Sequence, residues 1–195
     1  ERIRSLKKDN LNLAFFDASL LDLFKHWFNP SFLVLQKIDW ATPANILEKI
    51  IAYEAVHEIN SWDDLRARLE PEDRRCFAFF HPLIPNEPLI FVEVALSNNM
   101  PESIKEVIKI DRSVTLDQDI NTAIFYSISN CQEGLSGISF GNFLIKNVAH
   151  QLKQEIEGLN RFATLSPAPG FTKWLKENSI DLNIQEDILL KQALV

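Results

Sequence analysis

Glycine is scarce in this sequence, with five residues in 195 where about fourteen would be average. All five (Gly134, Gly137, Gly141, Gly158 and Gly170) fall after residue 133, so backbone freedom is concentrated in one region. Cysteine is scarcer still. Cys76 and Cys131 stand alone without C-x-x-C spacing, which excludes a disulfide scaffold and a zinc-finger pattern and fits a reducing compartment. No apolar run approaches ~18 residues, so no membrane span is expected. The opening residues ERIRSLKK are charged and carry no signal-peptide pattern. There is no initiator methionine, so residue 1 reads as a processing site or a fragment edge. Basic residues are in deficit, 20 against 27 acidic ones, for a net charge of −7. A nucleic-acid partner is therefore not expected.

What is present reads as an α+β chain. Residues 1–28 are helical in pattern, with apolar side chains nearly all round from Leu11 to Phe28, as in a helix packed against a larger body. Asn29-Pro30-Ser31 ends it. A helix over 42–54 is expected with Thr42 as N-cap and Pro43 at its first position. Another follows over 61–70 with Ser61 as N-cap. Residues 75–81 and 88–96, rich in Phe and β-branched residues, read as strands. The segment 82–88 between them reads as a broad turn rather than a two-residue one. Pro101 opens a helix to residue 109, 111–120 is a loop, and 122–129 is a third strand. The glycine segment 130–141 then leads into a helix to about 157, with Gly158 in the left-handed position that ends it. A fourth strand covers 161–166. Short helices are expected over 171–178 and 183–194.

A glycine-bearing loop feeding a helix N-terminus is a ready anion site. Its free N–H groups donate whatever the net charge of the protein. No G-x-x-x-x-G-K-[ST] or G-x-G-x-x-G motif occurs, so neither P-loop nor Rossmann chemistry is expected. The loop SGISFGN at 136–142 instead resembles the pyrophosphate loop of the GNAT (N-acetyltransferase-like) fold, of Q/R-x-x-G-x-G/A type. Ser136 replaces the Gln or Arg, and Ser139 replaces the first Gly.

Longer strings narrow the resemblance. WATPANILEKIIAYEAVHEINSWDDLRARL at 40–69, RRCFAFFHPLIPNEPLIFVEVAL at 74–96, AIFYSIS at 123–129, FLIK at 143–146 and LSPAPGFTKWL at 165–175 resemble the malonyl-CoA decarboxylase family, over about residues 10–178. That resemblance implies a GNAT-like mixed sheet flanked by helices, preceded by the end of an all-α domain. Residues 1–28 would close the N-terminal helical domain, and 29–195 would be the N-terminal part of the catalytic domain, so the chain looks like a fragment or truncated homologue. It implies conversion of malonyl-CoA to acetyl-CoA and CO2, with coenzyme A as part of the substrate. No metal or other cofactor is implied. Ser166 matches the family's catalytic serine, which contacts the malonyl group. Ser136, Gly137, Ile138, Ser139, Phe140, Gly141 and Asn142 match its CoA-binding loop. Some relatives carry Glu where Ser139 stands. The family's catalytic histidine lies downstream of the PGFTKWL string, and none of His26, His57, His81 and His150 matches it. A homo-oligomer through the helical region is implied. So is a location in the bacterial cytoplasm or, in a eukaryote, in the mitochondrial matrix, peroxisome or cytosol.

The chemistry asks for three things: a held carboxylate, hydrogen-bond donors for the enolate, and a group that protonates carbon. The thioester is its own electron sink. Two other classes stay open, a non-catalytic CoA-binding or assembly module and a GNAT-type acyltransferase. Among other residues, Tyr126 and Ser127 are expected on opposite faces of their strand, with one packing and one facing a ligand cleft. Ser129 is similar. His81 reads as structural, Lys146 and Lys173 as solvated, Phe77, Phe79, Phe80, Phe91 and Phe125 as core, and Glu54 and Glu58 beside His57 as a solvated helix end.

Overall fold

The computed structural model describes residues 11–135, 137–138, 140–168, 170–171 and 173–174. Residues up to Leu165 form one unit and those from Ser166 a second. In the first unit, helix α1 (Leu11–Trp27) leads through a 3-10 turn at Pro30–Phe32 into strand β1 (Val34–Ile38). Helices α2 (Ala44–Tyr53) and α3 (Trp62–Leu69), the hairpin β2 (Arg74–His81) and β3 (Ile84–Ser97), and helix α4 (Ile104–Ile108) follow. Strand β4 (Thr122–Asn130), helix α5 (Gly141–Glu155) and strand β5 (Arg161–Thr164) complete it. The strands lie in the order β1-β2-β3-β4-β5. The first four are antiparallel, and β5 returns parallel to β4 after the α5 crossover. The mixed sheet flanked by helices is the α+β architecture expected from the sequence.

Alternation along β2 divides the core. Phe77 and Phe79 pack on one face with Leu144, Val148 and Leu152 of α5. Cys76, Ala78 and Phe80 pack on the other with Ile46, Ile50 and Leu65 of α2 and α3. Leu144, Val148 and Leu152 recur at helical spacing and are fully buried. Truncating any one of them to Ala should cost roughly 2–5 kcal/mol.

Several local expectations are corrected. Strand β1 was not anticipated. Its pattern is mostly exposed, and its pairing with β2, from Val34–Phe80 to Ile38–Cys76, makes it a strand by tertiary contact rather than by propensity. The β2–β3 link is a two-residue turn, with His81 paired to Ile84. Bulges at Phe79–Phe80 and Phe80–His81 let β3 run through Pro85 and Pro88, which cannot donate to a regular ladder. Helix α2 starts after Pro43 without a side-chain cap, because the Thr42 hydroxyl instead accepts from the Asp39 N–H at 3.0 Å. Ser61 caps α3 as expected, accepting from Asp64 N–H. Ser103, not Pro101, caps the short α4. Strand β5 stops at Thr164.

Gly158 is not left-handed, since positive φ occurs only at Gly137 and Gly170 among the described residues. Gly158 is required sterically, because a Cβ there would lie 2.8 Å from the Ile120 carbonyl oxygen. Tyr126 and Ser127 do not divide between the faces. A bulge at Glu93–Val94 leaves Tyr126 without a β3 partner, and both side chains are buried, Tyr126 among Ala95, Val107 and Ile124 and Ser127 against Glu54. Of the two C-terminal helices, the described residues cover only Phe171, Lys173 and Trp174 of the first, all helical. The helix expected over 183–194 lies outside them.

Candidate functional site

Strand β4 hands over to the glycine loop where Cys131 N–H donates to the Leu89 carbonyl at 3.0 Å. A 3-10 turn, Glu133–Leu135, and the bond from Ile138 N–H to the Leu135 carbonyl at 3.0 Å fold the loop back. Gly137 sits at φ +96°, a conformation that costs an L side chain roughly 1–2 kcal/mol. Phe140, 2% exposed, occupies the N-cap position of α5 and provides no side-chain cap. The first helical bond runs from Leu144 N–H to the Phe140 carbonyl. The N–H groups of Gly141, Asn142 and Phe143 thus precede the intrahelical ladder, at the positive end of a 15-residue helix. Beside them lies a cavity of about 280 Å³ bounded by Leu89, Asn130, Gln132, Gly137, Ile138 and Phe140. Phe140 serves as the apolar anchor of the helix start, while Gly141 is half-buried and Asn142 exposed. Ser136 and Ser139 lie outside the described residues.

The loop is tied to α2 and β3 through Glu87. Its carboxylate accepts from Gln132 Nε2 and from the Tyr53 hydroxyl, each at 2.8 Å, and from Lys49 Nζ. Partial burial works to raise the Glu87 pKa, but the Lys49, Tyr53 and Gln132 hydrogen bonds outweigh it and hold the group below the ordinary carboxylate value. The Tyr53 phenol moves up in response, mainly through its bond to Glu87.

Next to this loop the sheet forks. Strand β5 pairs with β4 only from Thr122 to Phe125, and the last bond runs from Leu165 N–H to the Phe125 carbonyl at 2.9 Å. Among the described residues Tyr126 has no ladder partner, and from Ser127 to Asn130 β4 is paired with β3 alone. The fork opens at the bulged residue Tyr126. Bulges both re-aim side chains and interrupt a ladder, and they concentrate near active sites.

Under the fork lies a polar cluster that the sequence did not disclose. Glu54, expected to be solvated, is half-buried at the end of α2. Its Oε1 accepts from the N–H groups of Val56 at 2.9 Å and His57 at 2.7 Å. The Ser127 hydroxyl donates to both Glu54 oxygens, at 2.7 and 2.8 Å, and Ser129 donates to Oε2 at 3.1 Å. Ser129 Oγ also accepts from Ala55 N–H at 3.1 Å. One element along, fully buried Glu93 accepts from Arg68 Nη1 at 3.2 Å through Oε2, while Oε1 has no hydrogen-bond partner among the described residues. Burial pushes the Glu93 pKa up to about 7; Arg68 opposes the rise and Glu54 adds to it. Burial works against the Arg68 charge, but Glu93 and Asp64 help hold its pKa above the ordinary value. Burial, then Glu93, raises the Tyr126 phenol well above its usual range. No short motif marks these residues. They meet because α2, α3 and the bulge converge.

The histidines are dispersed. His26 and His150 are exposed on α1 and α5, and His81 accepts from Leu83 N–H in the hairpin turn at 3.2 Å. His57 is half-buried, its ring centroid 6.2 Å from that of Tyr126. Among the described residues no group of three or more His, Cys, Asp and Glu side chains could hold a metal ion, and no helix is long and apolar enough to cross a membrane. In the second unit, Ser166 is exposed and non-helical. It precedes a turn closed by the bond from Phe171 N–H to the Ala168 carbonyl at 3.1 Å, with Gly170 at φ +84°. The Phe171 and Trp174 rings stack at 6.1 Å.

Compared with known proteins, the chain is 53% identical to the malonyl-CoA decarboxylase of Rhodopseudomonas palustris, covering 94% of this chain and 45% of that one with a TM-score of 0.83. It is 50% identical to that of Agrobacterium vitis, covering 94% of this chain and 46% of the other with a TM-score of 0.85. It is 44% identical over 158 residues to the mitochondrial malonyl-CoA decarboxylase of Anser anser anser, covering 80% of this chain and 31% of the goose protein. The chain thus spans about a third of the curated relatives' length and under half of the bacterial ones. The family model for the malonyl-CoA decarboxylase C-terminal domain matches residues 31–193, and the chain belongs to that family.

Proposed function

We propose that this chain is part of a decarboxylase that converts malonyl-CoA to acetyl-CoA and CO2. The observation that carries this reading is identity of about half over 94% of the chain to proteins named for that reaction. The local geometry supports it. The amide-rich start of α5 and the cavity beside Gly137 suit the phosphates of coenzyme A. The unpaired β4 edge from Tyr126 to Asn130 suits an extended pantetheine arm, whose amides can pair with backbone as a strand would.

In the reaction the bond between the carboxylate carbon and the α-carbon breaks. CO2 leaves, and the electron pair passes into the thioester as an enolate. A proton then adds to the α-carbon. Donors at the bulge, where Tyr126 leaves the ladder, would face the enolate oxygen. Ser166 would hold the departing carboxylate or relay the proton, together with a histidine that this chain does not match. The thioester supplies the electron sink, so neither metal nor organic cofactor enters the reading. Residues 1–28 as the end of a helical domain, assembly through that region, and a location such as the mitochondrion of the goose relative belong to the same reading.

In the complete gene product, Ser166→Ala should lower CO2 release from malonyl-CoA by roughly a hundredfold or more while CoA still binds. Near-normal turnover would remove Ser166 from the mechanism. Faster acetyl transfer to an amine than CO2 release would replace the decarboxylase reading by an acyltransferase.

A further inference from the structure

We infer that Glu54 is a positioning residue for this reaction, one that acts through Ser127 to set the β4 bulge at the fork. The inference rests on the decarboxylase reading above. Strand β4 has lateral support on both sides only as far as Phe125. Immediately beyond, Tyr126 has no β3 partner, and the next residue is Ser127, 1% exposed. A bulged strand with one neighbour has freedom to shift where a reaction needs fixed donors. Glu54 supplies a restraint there. Ser127 has a single proton, and it is shared between the two Glu54 oxygens at 2.7 and 2.8 Å. Ser129 doubles the contact two residues on, at 3.1 Å.

A tether is useful only if its far end is fixed, and here it is. Glu54 N–H closes α2 onto the Ile50 carbonyl at 3.1 Å, and the carboxylate caps Val56 and His57. The segment those residues begin is held from the other side by Arg68, whose Nη1 donates to the His57 carbonyl at 2.7 Å and whose Nη2 donates to the Glu58 carbonyl at 2.9 Å. Arg68 is itself paired with buried Glu93 on β3, the residue opposite Ser127 in the ladder. The network is a closed loop of contacts, from β3 through Arg68, the 57–58 backbone and Glu54 to β4. The carboxylate accepts from all four groups at once, through charge-assisted bonds. An amide of the same shape would turn its NH2 toward Ser127 and Ser129, whose hydroxyls would have to reverse to accept, and the tether would lose its charge assistance.

The test compares Glu54→Gln, Ser127→Ala and the double variant in the complete gene product. The readouts are kcat and KM for malonyl-CoA, calorimetric Kd for CoA, and thermal stability. Glu54→Gln should lower kcat by about ten- to a hundredfold, the scale of a small misplacement of reacting groups. KM and the CoA Kd should stay within about threefold, because the phosphate loop is held separately by Glu87. Because Glu54 acts through Ser127, adding Glu54→Gln to Ser127→Ala should cost less than about a further threefold. A folded Glu54→Gln protein with kcat within about threefold of the parent, or kinetic losses that multiply in the double variant, would overturn the inference. So would a drop in melting temperature with kcat per folded molecule unchanged. A parent protein that binds CoA yet releases no CO2 would instead sink the decarboxylase reading and, with it, this inference.

Discussion

Replacing Glu93 by Gln should change how the stability of the protein depends on pH. Glu93 is fully buried, with one oxygen on Arg68. Its pKa rises from 4.5 in the open chain to about 7 in the fold. Between those values the native protein keeps the proton and the denatured chain has lost it, so the native state binds more protons. That contribution to stability is fully present below the denatured-state value and is lost as pH rises through the native one. Linkage with these two values gives a loss of roughly 2–3 kcal/mol between about pH 5 and about pH 8. The amide introduced by Glu93→Gln would mimic the protonated carboxyl and cannot titrate. Leaving Arg68 with Asp64 as its remaining counter-charge shifts the whole stability curve of the variant but not this slope. Urea unfolding of parent and variant at about pH 5, 6, 7 and 8 measures the difference directly. The parent should lose stability relative to the variant across this range. A difference that stays flat would show that Glu93 is ionised throughout and that Arg68 outweighs its burial. A difference of opposite sign would refute the assignment of burial as the dominant cause.

Two further outcomes follow from single contacts. Gly158→Ala should destabilise the fold by about 1–3 kcal/mol, because the new Cβ would meet the Ile120 carbonyl oxygen at 2.8 Å. Gly158→Asn, tolerated if the position were left-handed, should cost at least as much. An unchanged melting temperature for either would refute the steric account. Cys76 and Cys131 are buried and unpaired, and burial raises both thiols far above their usual range. A thiol–disulfide exchange reagent at about pH 8 should therefore leave both unmodified in the native protein and label both after denaturation, since the thiolate is the reactive form. Rapid labelling of either in the native state would contradict that burial.

Most of the architecture was legible along the chain, because one-dimensional patterns carried it. The phenylalanine alternation of β2, the spacing Leu144–Val148–Leu152 in α5 and the Ser61 cap each depend on neighbours a few residues away. The family strings placed the loop at 136–142 and Ser166, the latter by resemblance rather than by any periodicity. Strand β1 escaped because an exposed edge strand draws its pairing from β2, and the tight hairpin because two bulges absorb prolines that read as breakers.

The amino-acid sequence by itself determined the family, the α+β class, and the scarcity of glycine that points to the loop before α5. The tertiary structure alone decided what the glycines and polar residues do. Gly137 is needed for its left-handed backbone, and Gly158 for the approach of a carbonyl some forty residues earlier in the chain. Glu54 reads as a solvated helix end because its partners, Ser127 and Ser129, lie 73 and 75 residues away. A half-buried carboxylate needs donors, and only the convergence of α2, α3 and the β4 bulge brings those donors within reach.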